Sequence, residues 1–561
     1  MAGFDHVIVG AGAAGAVLAN RLTEDPATRV ALIEQGPDRN SRKAIIRIPL
    51  GMVTFMAPAL AFLGGPRFMQ WFETEPEPGL GGRRIALPRG KGTGGSTLVN
   101  GQIWIRGQPE DFDHWRDLGN PGWGYDDLLP YFRKCETLVP LRDPAADRHL
   151  PARSARAAQP LDPALHGTDG PITLAHMRSV NPLTHAFLKA AAQAGHRFNA
   201  DFNGARQEGY GFYTFTQKNG QRVTAESAYI DPIRHRPNLV ILPDRRVTRV
   251  TMQGARATGV DWRHADGTQG HTQGAEVILS AGSFVSPHLL MLSGIGDADH
   301  LRAQGIGPVH HLPGVGRNLQ DHLDVSVEYK ARTLAPYGGS LRALPRNALH
   351  LLDWLVRRRG LFSSTTAEGG AFLSTTGHGR PDIQLFFCAG MANTQNAKGF
   401  GTHGFLMHVC QLRPENRGTL RLRTADPETP PEIRYDVLTT PEACKTLRDG
   451  VRIARDIIRQ SPFARHLETE LAPGDAAQAD AAIDAFIRDT VGTLFHPVGT
   501  CAMGTGPMAV TDPRSLRVRG TTGLRVVDAS VMPSVVSGNT VAATYCLAEK
   551  AADLIRRPAP R

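Results

Sequence analysis

Three glycines near the start of the chain have the spacing of a loop that binds a dinucleotide. Gly10, Gly12 and Gly15 follow an apolar run at residues 6–9 and precede a helical pattern at residues 16–22. In such a loop the first glycine permits a tight turn, the second lets a pyrophosphate approach the backbone, and the third lets helix and strand pack closely. The pyrophosphate then rests on the helix N-terminus, where free N–H groups and the helix dipole favour an anion.

A carboxylate occupies the position that would bind the ribose of that dinucleotide. Residues 29–33 form a second apolar run that ends at Glu34, about 20 residues after Gly15, the interval typical of this motif. Glu34 can accept hydrogen bonds from ribose hydroxyls, and its charge would repel a 2′-phosphate. Strand, helix, strand and acid in this order predict a dinucleotide-binding βαβ unit, whereas three spaced glycines alone would be a weak signal.

The elements that position these residues come from separate parts of the chain. Further strand patterns occur at residues 239–242, 275–280 and 524–528. Helical patterns occur at residues 182–194 and 441–459, and strand-like runs at residues 382–387 and 419–422. We therefore expect an α/β protein, α+β overall, with a Rossmann-like nucleotide domain and a second, mixed domain.

Composition excludes several classes of protein. The 561 residues are 41% hydrophobic and 21% charged, with 60 glycines and 40 prolines, which is near the globular average. Collagen-like, coiled-coil and fully disordered chains are excluded. The net charge of +10 comes from basic residues scattered between acids, and no nucleic-acid-binding motif accompanies it, so we expect no nucleic-acid partner.

The cysteines predict neither a metal site nor a disulfide framework. None of the six forms a C-x-x-C pair, and they lie far apart at Cys135, Cys388, Cys410, Cys444, Cys501 and Cys546. We expect reduced, mostly buried thiols and no bound metal. The N-terminal residues have no basic and apolar regions of a secretory signal, so we expect a cytoplasmic protein.

One uncharged stretch raises the question of a membrane. The segment from Ile48 to Gly65 approaches the length of a membrane span, but Pro49, Pro58 and its glycines argue against a continuous helix. A buried or cleft-lining loop is the favoured interpretation. The alternative is an apolar lid that makes peripheral contact with a membrane surface.

Six further segments, in order along the chain, resemble a known family. They are residues 90–101, 282–296, 312–322, 413–418, 496–501 and 537–540. With the βαβ unit they are similar to the motifs of the glucose/methanol/choline (GMC) flavin oxidoreductases. The resemblance implies a discontinuous FAD-binding domain (residues 1–158, 222–318 and 497–561) and a substrate domain of mixed antiparallel sheet and helices (residues 159–221 and 319–496).

The resemblance also implies FAD, with adenine at the βαβ unit and the flavin ring at the domain interface. A glycine-rich stretch such as residues 94–96 can present backbone N–H groups to phosphate or flavin oxygens. The contacts implied by resemblance are Gly10, Gly12, Ala13, Ala14, Gly15, Glu34, Gly94, Gly95, Ser96, Asn100, Gly101, Val247, Ala281, Asp528, Ala529, Asn539 and Thr540.

Two residues depart from the family pattern. Some members tether FAD through a histidine immediately before the motif asparagine, where this chain has Val99. Valine cannot form that bond, so we expect non-covalent FAD. Thr93 stands where the family usually has an aliphatic residue, and its hydroxyl would need a partner if it is buried.

By similarity, His496 is the catalytic base and Asn539 its partner beside the flavin. An imidazole can take the hydroxyl proton of an alcohol, and an amide N–H can stabilise the developing alkoxide. Asn539 also precedes a helical pattern at residues 540–555, so its side chain could instead cap that helix. Motif membership alone does not place His322 at the flavin, and we interpret it as structural.

The function that the resemblance implies is oxidation of a primary alcohol to an aldehyde by hydride transfer to flavin N5. The electron acceptor can be a quinone, a carrier or oxygen, so dehydrogenase and oxidase both remain open, with a weak preference for dehydrogenase. A lyase or decarboxylase on the same scaffold is a further alternative, and the oligomeric state is undetermined. Candidates for an apolar pocket suited to a hydrophobic or polyether alcohol are Phe372, Phe386, Phe387, Met391, Met407 and Phe495.

Overall fold

The computed structural model describes residues 3–56, 65–140, 161–338, 340–391 and 403–556. The strands within these ranges are β1 (Phe4–Val9), β2 (Val30–Ile33), β3 (Met69–Glu73), β4 (Ala86–Gly90), β5 (Glu136–Leu138), β6 (Ile172–Ala175), β7 (Gly209–Phe212), β8 (Phe215–Lys218), β9 (Gln221–Arg222), β10 (Leu239–Leu242), β11 (Arg245–Gln253), β12 (Arg256–His264), β13 (Gln269–Leu279), β14 (Ile295–Gly296), β15 (His310–His311), β16 (Leu323–Ala331), β17 (Ala367–Leu373), β18 (Ile383–Cys388), β19 (Gly404–Gln411), β20 (Thr419–Arg421), β21 (Glu432–Arg434), β22 (Leu467–Ala472), β23 (Gly492–Thr493) and β24 (Leu524–Val526). The helices are α1 (Ala13–Leu22), α2 (Ala44–Arg47), α3 (Met52–Met56), α4 (Pro109–Asp117), α5 (Tyr125–Cys135), α6 (Pro182–Gln193), α7 (Val285–Leu292), α8 (Ala298–Ala303), α9 (Leu344–Arg357), α10 (Pro441–Arg459), α11 (Asp480–Thr490) and α12 (Val541–Arg556).

The first large sheet contains the βαβ unit. Strands β10, β2, β1, β13 and β24 pair in parallel in this order. All four residues of β2 and the last three of β1 are buried, as expected for parallel strands covered on both faces. Helix α1 follows β1 and packs against α12, which brings the two ends of the chain together.

Strand β13 connects this sheet to an antiparallel layer. Its first half pairs antiparallel with β12, which pairs antiparallel with β11, and its second half pairs in parallel with β1 and β24. The carboxyl ends of β1, β13 and β24 therefore meet at one edge. Ligands of open α/β sheets bind at such an edge.

The second large sheet is antiparallel and has helices on one face. Its order is β22, β16, β19, β18, β17 and β7, with β23 also paired to β16. Helices α6 and α10 cover one face; Phe387 of β18 faces them, because its ring stacks on Phe187 of α6 with centroids 5.1 Å apart. Side chains alternate across a strand, so Phe386 and Cys388 point to the opposite face and line a cavity there.

The structure confirms the expected α/β class and most of the expected elements. The strand at residues 239–242 and the helix at residues 441–459 have the bounds that the sequence predicts, and the other predicted elements differ at their ends by a few residues. The largest difference is β13, which begins at Gln269 rather than at residue 275, because its first half pairs outside the parallel sheet.

The uncharged stretch begins as a folded part of the structure. Residues 49–51 form a turn and α3 follows, while residues 57–64 lie outside the described residues. Met52 and Val53 line the cavity, which agrees with the cleft-lining interpretation for this part. Within the described ranges, none of the helices has the length and apolar character needed to span a bilayer. The six cysteines are all free and buried.

Candidate active site

One cavity of about 430 Å³ brings most of the predicted site residues together. It extends from the βα turn of the first sheet to the second sheet. The predicted residues that line it are Gly10, Gly12, Ala13, Ala14, Glu34, Gly95, Ser96, Asn100, Gly101, Val247, Ala281, His496, Asp528, Ala529, Asn539 and Thr540. Gly15 and Gly94 do not line it.

The glycines of the first turn have the predicted steric roles. Gly10 has φ +98°, and a β-carbon there would lie 2.5 Å from the carbonyl oxygen of Ser280. A β-carbon on Gly15 would collide with the carbonyl oxygen of Gly10, so Gly15 serves helix–strand packing rather than ligand contact. The first backbone bond of α1 runs from the N–H of Ala16 to the carbonyl of Gly12. The helix itself therefore uses none of the N–H groups before Ala16, as anion binding requires.

The carboxylate of Glu34 anchors the start of the cavity. It accepts backbone hydrogen bonds from Ala11 (2.9 Å), Gly36 (2.9 Å) and Gly92 (3.0 Å). These bonds tie the end of β2 to the βα turn and to the second glycine-rich loop. Glu34 also lines the cavity.

The second glycine-rich loop packs against the first. Gly94 has φ +105° and donates its N–H to the carbonyl of Ala11 at 2.8 Å. Gly95 has φ +52°, and a β-carbon there would lie 2.7 Å from the α-carbon of Gly12. Gly94 therefore shapes the loop, whereas Gly95 and Ser96 form the cavity wall.

The hydroxyl of Thr93 has the partners that its burial requires. Its Oγ1 lies 2.7 Å from Oε1 of Glu226 and 2.9 Å from Oδ1 of Asp38. Asn40 donates to the same hydroxyl at 3.3 Å. The departure from an aliphatic residue is thus accommodated by a polar cluster behind the loop.

Two polar side chains of the cavity wall are held by hydrogen bonds. Asp528 follows β24, and its carboxylate accepts from the Ser286 hydroxyl at 2.6 Å and from the Gly282 N–H at 2.9 Å. Asn100 accepts from the guanidinium of Arg222 at 2.8 Å. Burial lowers the pKa of Arg222 to about 9. A basic group that the sequence does not single out therefore orients Asn100.

At the far end of the cavity, the ring of His496 contacts two side chains. One belongs to Asn539, which the sequence predicts at the site, and the other to His322, the last residue of the motif at residues 312–322. The Nε2 of His496 lies 3.2 Å from Nδ2 of Asn539, and its Nδ1 lies 2.9 Å from Nδ1 of His322. Its backbone N–H donates to Oδ1 of Asp321 at 2.8 Å. The preceding residue, Phe495, has φ +63°, a conformation that costs energy in a non-glycine residue and recurs at functional sites.

These contacts determine the tautomer of His496. The amide nitrogen of Asn539 can only donate, so Nε2 of His496 accepts and the ring proton lies on Nδ1. That proton is donated to Nδ1 of His322, whose Nε2 is buried without a hydrogen-bond partner among the described residues. Nε2 therefore carries the lone pair of the ring, which accepts the Asn539 N–H in this structure.

Both imidazoles are neutral near pH 7. Burial lowers the pKa of His496 well below its ordinary value, and His322 and Arg89 lower it further. Burial lowers the pKa of His322 to about 4. Asp321 is the nearest carboxyl, and burial raises its pKa to about 6 against the opposing effect of Arg89. The site thus holds a neutral base rather than an imidazolium.

Asn539 does not cap helix α12. The first bond of the helix runs from the N–H of Thr544 to the carbonyl of Thr540. The Oδ1 of Asn539 is buried and has no hydrogen-bond partner among the described residues. Its amide nitrogen faces His496 instead, so the structure favours the role beside the base over the capping role.

The second sheet supplies the opposite wall. Of the expected pocket residues, Phe386, Met391 and Phe495 line the cavity. The other three, Phe372, Phe387 and Met407, are fully buried away from it, because alternate side chains of β17, β18 and β19 point to the other face of the sheet or into the core. Sequence alone does not distinguish the two faces of such apolar strands.

A buried ion pair between His408 and Asp324 supplies a polar group to this wall. His408 of β19 lines the cavity, and its Nδ1 lies 2.7 Å from Oδ2 of Asp324. Burial by itself lowers the pKa of His408, but the Asp324 carboxylate outweighs burial and raises it well above the ordinary value. The pair adds an N–H donor to the wall without adding net charge.

The cavity fits FAD on several observations. The N-terminus of α1 offers N–H groups to a pyrophosphate, Glu34 offers a carboxylate to a ribose, and the Oδ1 of Asn539 lacks a protein partner. The facing glycines Gly12 and Gly95 leave no side chains between the two loops.

Sequence reasoning missed three residues of this site. His322 contacts the base directly, Asp321 holds its backbone, and Arg89 donates to the carbonyl of Phe495 at 2.6 Å. The only available signal was that Asp321 and His322 end the motif at residues 312–322 and that Arg89 immediately precedes the motif at residues 90–101.

Comparison with known proteins identifies the family. Two GMC oxidoreductase family models match residues 4–324 and 414–548. An alcohol dehydrogenase (acceptor) from Pseudomonas putida is 39% identical over 558 residues, which cover 99% of this chain and 96% of that protein. An oxygen-dependent choline dehydrogenase from Citrobacter koseri is 40% identical over 565 residues, with 99% and 96% covered. The solved structure of pyridoxine 4-oxidase from Mesorbium loti is 31% identical, has a TM-score of 0.83 and covers 99% of both chains. These matches confirm the resemblance found in the motifs: the chain belongs to the GMC oxidoreductase family.

Proposed function

We propose that this protein oxidises a primary alcohol to an aldehyde with FAD, and that His496 is the base. The observation that carries the proposal is the neutral imidazole of His496, which lines the same cavity as the Glu34 carboxylate and bears its lone pair on Nε2, beside Asn539. The relatives named as alcohol and choline dehydrogenases support CH–OH donors as the substrate class.

The chain's own residues handle the proton of the alcohol. Bound FAD supplies an acceptor for the two electrons that leave the alcohol carbon as hydride to N5. The substrate oxygen replaces Nε2 of His496 as the acceptor of the Asn539 N–H. Nε2 is then released to accept the hydroxyl proton, while that amide N–H stabilises the oxygen as it becomes negative. His322 is a positioning residue, because it accepts the Nδ1 proton of His496 and keeps Nε2 unprotonated.

The residues proposed to hold FAD occupy successive parts of the cavity. Glu34 and Val247 would bind the adenosine, the N-terminal turn of α1 and the backbone at residues 94–96 the pyrophosphate, and Asp528 and Ala529 the ribityl chain. Asn100, Gly101 and Thr540 would lie beside the ring. Val99 lines the cavity next to Asn100, and an aliphatic side chain there supports non-covalent FAD.

We propose two domains with the boundaries that the family resemblance implies. The strands of the first sheet lie within residues 1–158, 222–318 and 497–561. The strands of the second sheet lie within residues 159–221 and 319–496. The cavity then lies between the domains, where the redox centre can contact the substrate.

The substrate is proposed to have an apolar body and little charge. Met52, Val53, Phe386, Met391 and Leu494 supply apolar lining on the substrate side, and the paired His408 adds one donor. A wall of this kind suits a hydrophobic or polyether alcohol better than a quaternary ammonium, which would favour aromatic and unpaired acidic residues.

The electron acceptor is proposed to be a quinone or a carrier rather than oxygen. One relative is named with an unspecified acceptor and another as oxygen-dependent.

The cysteines bear on the location of the protein in the cell. Six free, buried cysteines are consistent with a reducing compartment, which supports a cytoplasmic enzyme.

An anaerobic reduction experiment tests the function. The purified yellow protein is mixed with a panel of primary alcohols, the visible flavin absorbance is followed, and air is then admitted. Bleaching supports the proposal, slow recovery in air supports a dehydrogenase, and fast recovery supports an oxidase. Turnover without bleaching in the dark would indicate a lyase and contradict the proposal.

A variant and an extraction complete this test. His496→Ala should retain FAD but reduce flavin about 10²–10⁴ times more slowly, the usual contribution of a general base. An unchanged rate would remove His496 from the mechanism. Acid precipitation should release the yellow colour into the supernatant, whereas colour retained in the pellet would contradict non-covalent binding.

A further inference from the structure

Helix α9 exposes its apolar face to solvent. Leu349, Leu352, Leu355 and Val356 are 68%, 58%, 55% and 73% exposed. At 3.6 residues per turn, the apolar residues other than Trp354 form one continuous arc of roughly 160°. They are Leu344, Pro345, Ala348, Leu349, Leu351, Leu352, Leu355 and Val356. Trp354 is the one residue of α9 that is buried.

The polar side of the helix faces the protein. Arg346 donates to the carbonyls of Leu334 and Pro336, and Asn347 donates to the carbonyl of Gly338 at 2.9 Å. The indole N–H of Trp354 donates to the carbonyl of Gly220 at 3.1 Å. These bonds hold the helix in an orientation opposite to that of an ordinary surface helix, whose apolar side faces the core. An exposed apolar surface of this size marks an interaction site.

The charges around this face are basic. Arg342 lies before the helix, and Arg357, Arg358 and Arg359 lie at its end. The only acid within residues 341–359 is Asp353, which pairs with Arg357 at 3.6 Å. The face is therefore flanked by cationic groups at both ends.

Helix α9 is connected by one contact between turns to a segment that lines the cavity. The turn that follows it, Leu361–Ser363, contacts the turn Pro49–Gly51. That turn leads into α3, whose Met52 and Val53 line the cavity. A surface that covers α9 would therefore lie close to the segment that borders the site.

We propose that α9, with Leu341, is a docking surface for an anionic lipid bilayer. A helix of 14 residues is about 21 Å long, shorter than the roughly 30 Å of a hydrocarbon core, so it lies in the plane of the interface. Its leucines enter the acyl region, while the flanking arginines bind anionic headgroups. This surface is distinct from the uncharged stretch that the sequence singles out.

The same charges disfavour a second copy of the chain as the occupant. In a two-fold symmetric pair the same patch meets itself. Antiparallel helices would then bring Arg342 of one copy close to the arginines at residues 357–359 of the other. Within residues 341–359 the one carboxylate, Asp353, is already paired, whereas a membrane surface supplies many anionic groups.

Vesicle flotation of the holoenzyme tests the proposal. The probes are phosphatidylcholine vesicles with and without about a third of phosphatidylglycerol. The protein should float with the anionic vesicles, and high salt should weaken this binding. The variant Leu349→Gln/Leu352→Gln/Val356→Gln should bind the anionic vesicles at least about tenfold more weakly than the wild type. Arg342→Gln/Arg359→Gln should lose the preference for anionic lipid.

A matched control distinguishes membrane binding by α9 from nonspecific binding by other exposed apolar residues. Leu118, Val309 and Met508 are exposed apolar residues elsewhere, at 48%, 42% and 50%. Their triple replacement by glutamine should leave flotation unchanged. Equal losses in both triple variants, or no flotation of the wild type, would overturn the proposal. A wild-type dimer that the α9 variant dissociates, without lipid binding, would assign the face to a second copy instead.

The docking inference does not depend on the proposed chemistry. The α9 variant should keep its FAD content, melting temperature and rate of flavin bleaching by alcohol in the absence of vesicles, because it changes only exposed side chains. If alcohol bleaches the flavin of neither the wild type nor any variant, the proposed function is contradicted. The flotation result would still stand, because it does not depend on that chemistry.

Discussion

Replacement of His322 is the most informative perturbation of the site. Its Nδ1 accepts the Nδ1 proton of His496 at 2.9 Å, and His322 is fully buried. His322→Leu removes the acceptor without adding charge. The buried N–H of His496 is then unpaired, at a cost of about 1–3 kcal/mol. The ring avoids this cost by moving its proton to Nε2, the nitrogen that must act as the base.

In His322→Leu, the tautomer with the proton on Nδ1 of His496, which can act as the base, therefore lies about 1–3 kcal/mol above the tautomer with the proton on Nε2. This energy converts to a rate of flavin reduction about 5–150 times lower than in the wild type. His322→Asn is the matched control, because an amide oxygen can take the place of the imidazole acceptor. It should recover most of the rate, within about tenfold of the wild type.

The measurement is stopped-flow flavin reduction under anaerobic conditions at saturating alcohol. The FAD-to-protein ratio and the melting temperature show whether each variant is intact. A positioning role predicts a lower limiting rate with a nearly unchanged apparent affinity for the alcohol. If intact Leu and Asn variants reduce flavin at the same rate, or if the Leu variant stays within twofold of the wild type, the tautomer argument is wrong.

Three further predictions follow from the same structure. Because burial lowers the pKa of His496 well below 6.5 and that of Asp321 is about 6, kcat/KM should show no acidic limb centred at 6.5 or above; such a limb would contradict the neutral base. Gly95→Ala should lower the FAD-to-protein ratio severalfold, since its β-carbon would lie 2.7 Å from Gly12, whereas Gly307→Ala, with open space around it, should retain FAD. Burial lowers the pKa of His166, but two carboxylates outweigh burial and raise it to about 9. The folded pKa thus exceeds the unfolded one, so this stabilisation is complete below pH 6.5 and is lost as pH rises through 9. Urea unfolding should show about 2–3 kcal/mol less from this group at the higher pH, and His166→Gln should remove that part of the pH dependence.

Local features of the fold were predictable because they depend on short-range pattern. The turn at Gly10 to Gly15 requires a positive φ and close packing that few side chains tolerate, and Glu34 follows at a distance set by one helix and one strand. The helix at residues 441–459 was predictable from its apolar periodicity. Most of the predicted site residues line the cavity, and their places followed from motif order.

Contacts between distant segments were not predictable in this way. His322 and His496 are 174 residues apart, and they meet because β23, just before His496, pairs with the start of β16, just after His322. Nothing in either segment alone states that register. The same limit applies to Phe386 and Phe387. Phe386 lines the cavity and Phe387 packs under the helices, and this difference depends on which face of the second sheet the helices cover.

Helix α9 shows where sequence and tertiary structure divide. The sequence by itself determined the nucleotide-binding unit, the family and the candidate base, because each of these depends on residue types at fixed spacing, whereas sequence reasoning did not single out the apolar residues of α9. Tertiary structure alone decided the tautomer of His496 and the direction in which those apolar residues face. Both depend on hydrogen bonds from distant segments, to His322 in one case and from Arg346, Asn347 and Trp354 in the other. Such bonds form only when the whole chain has folded.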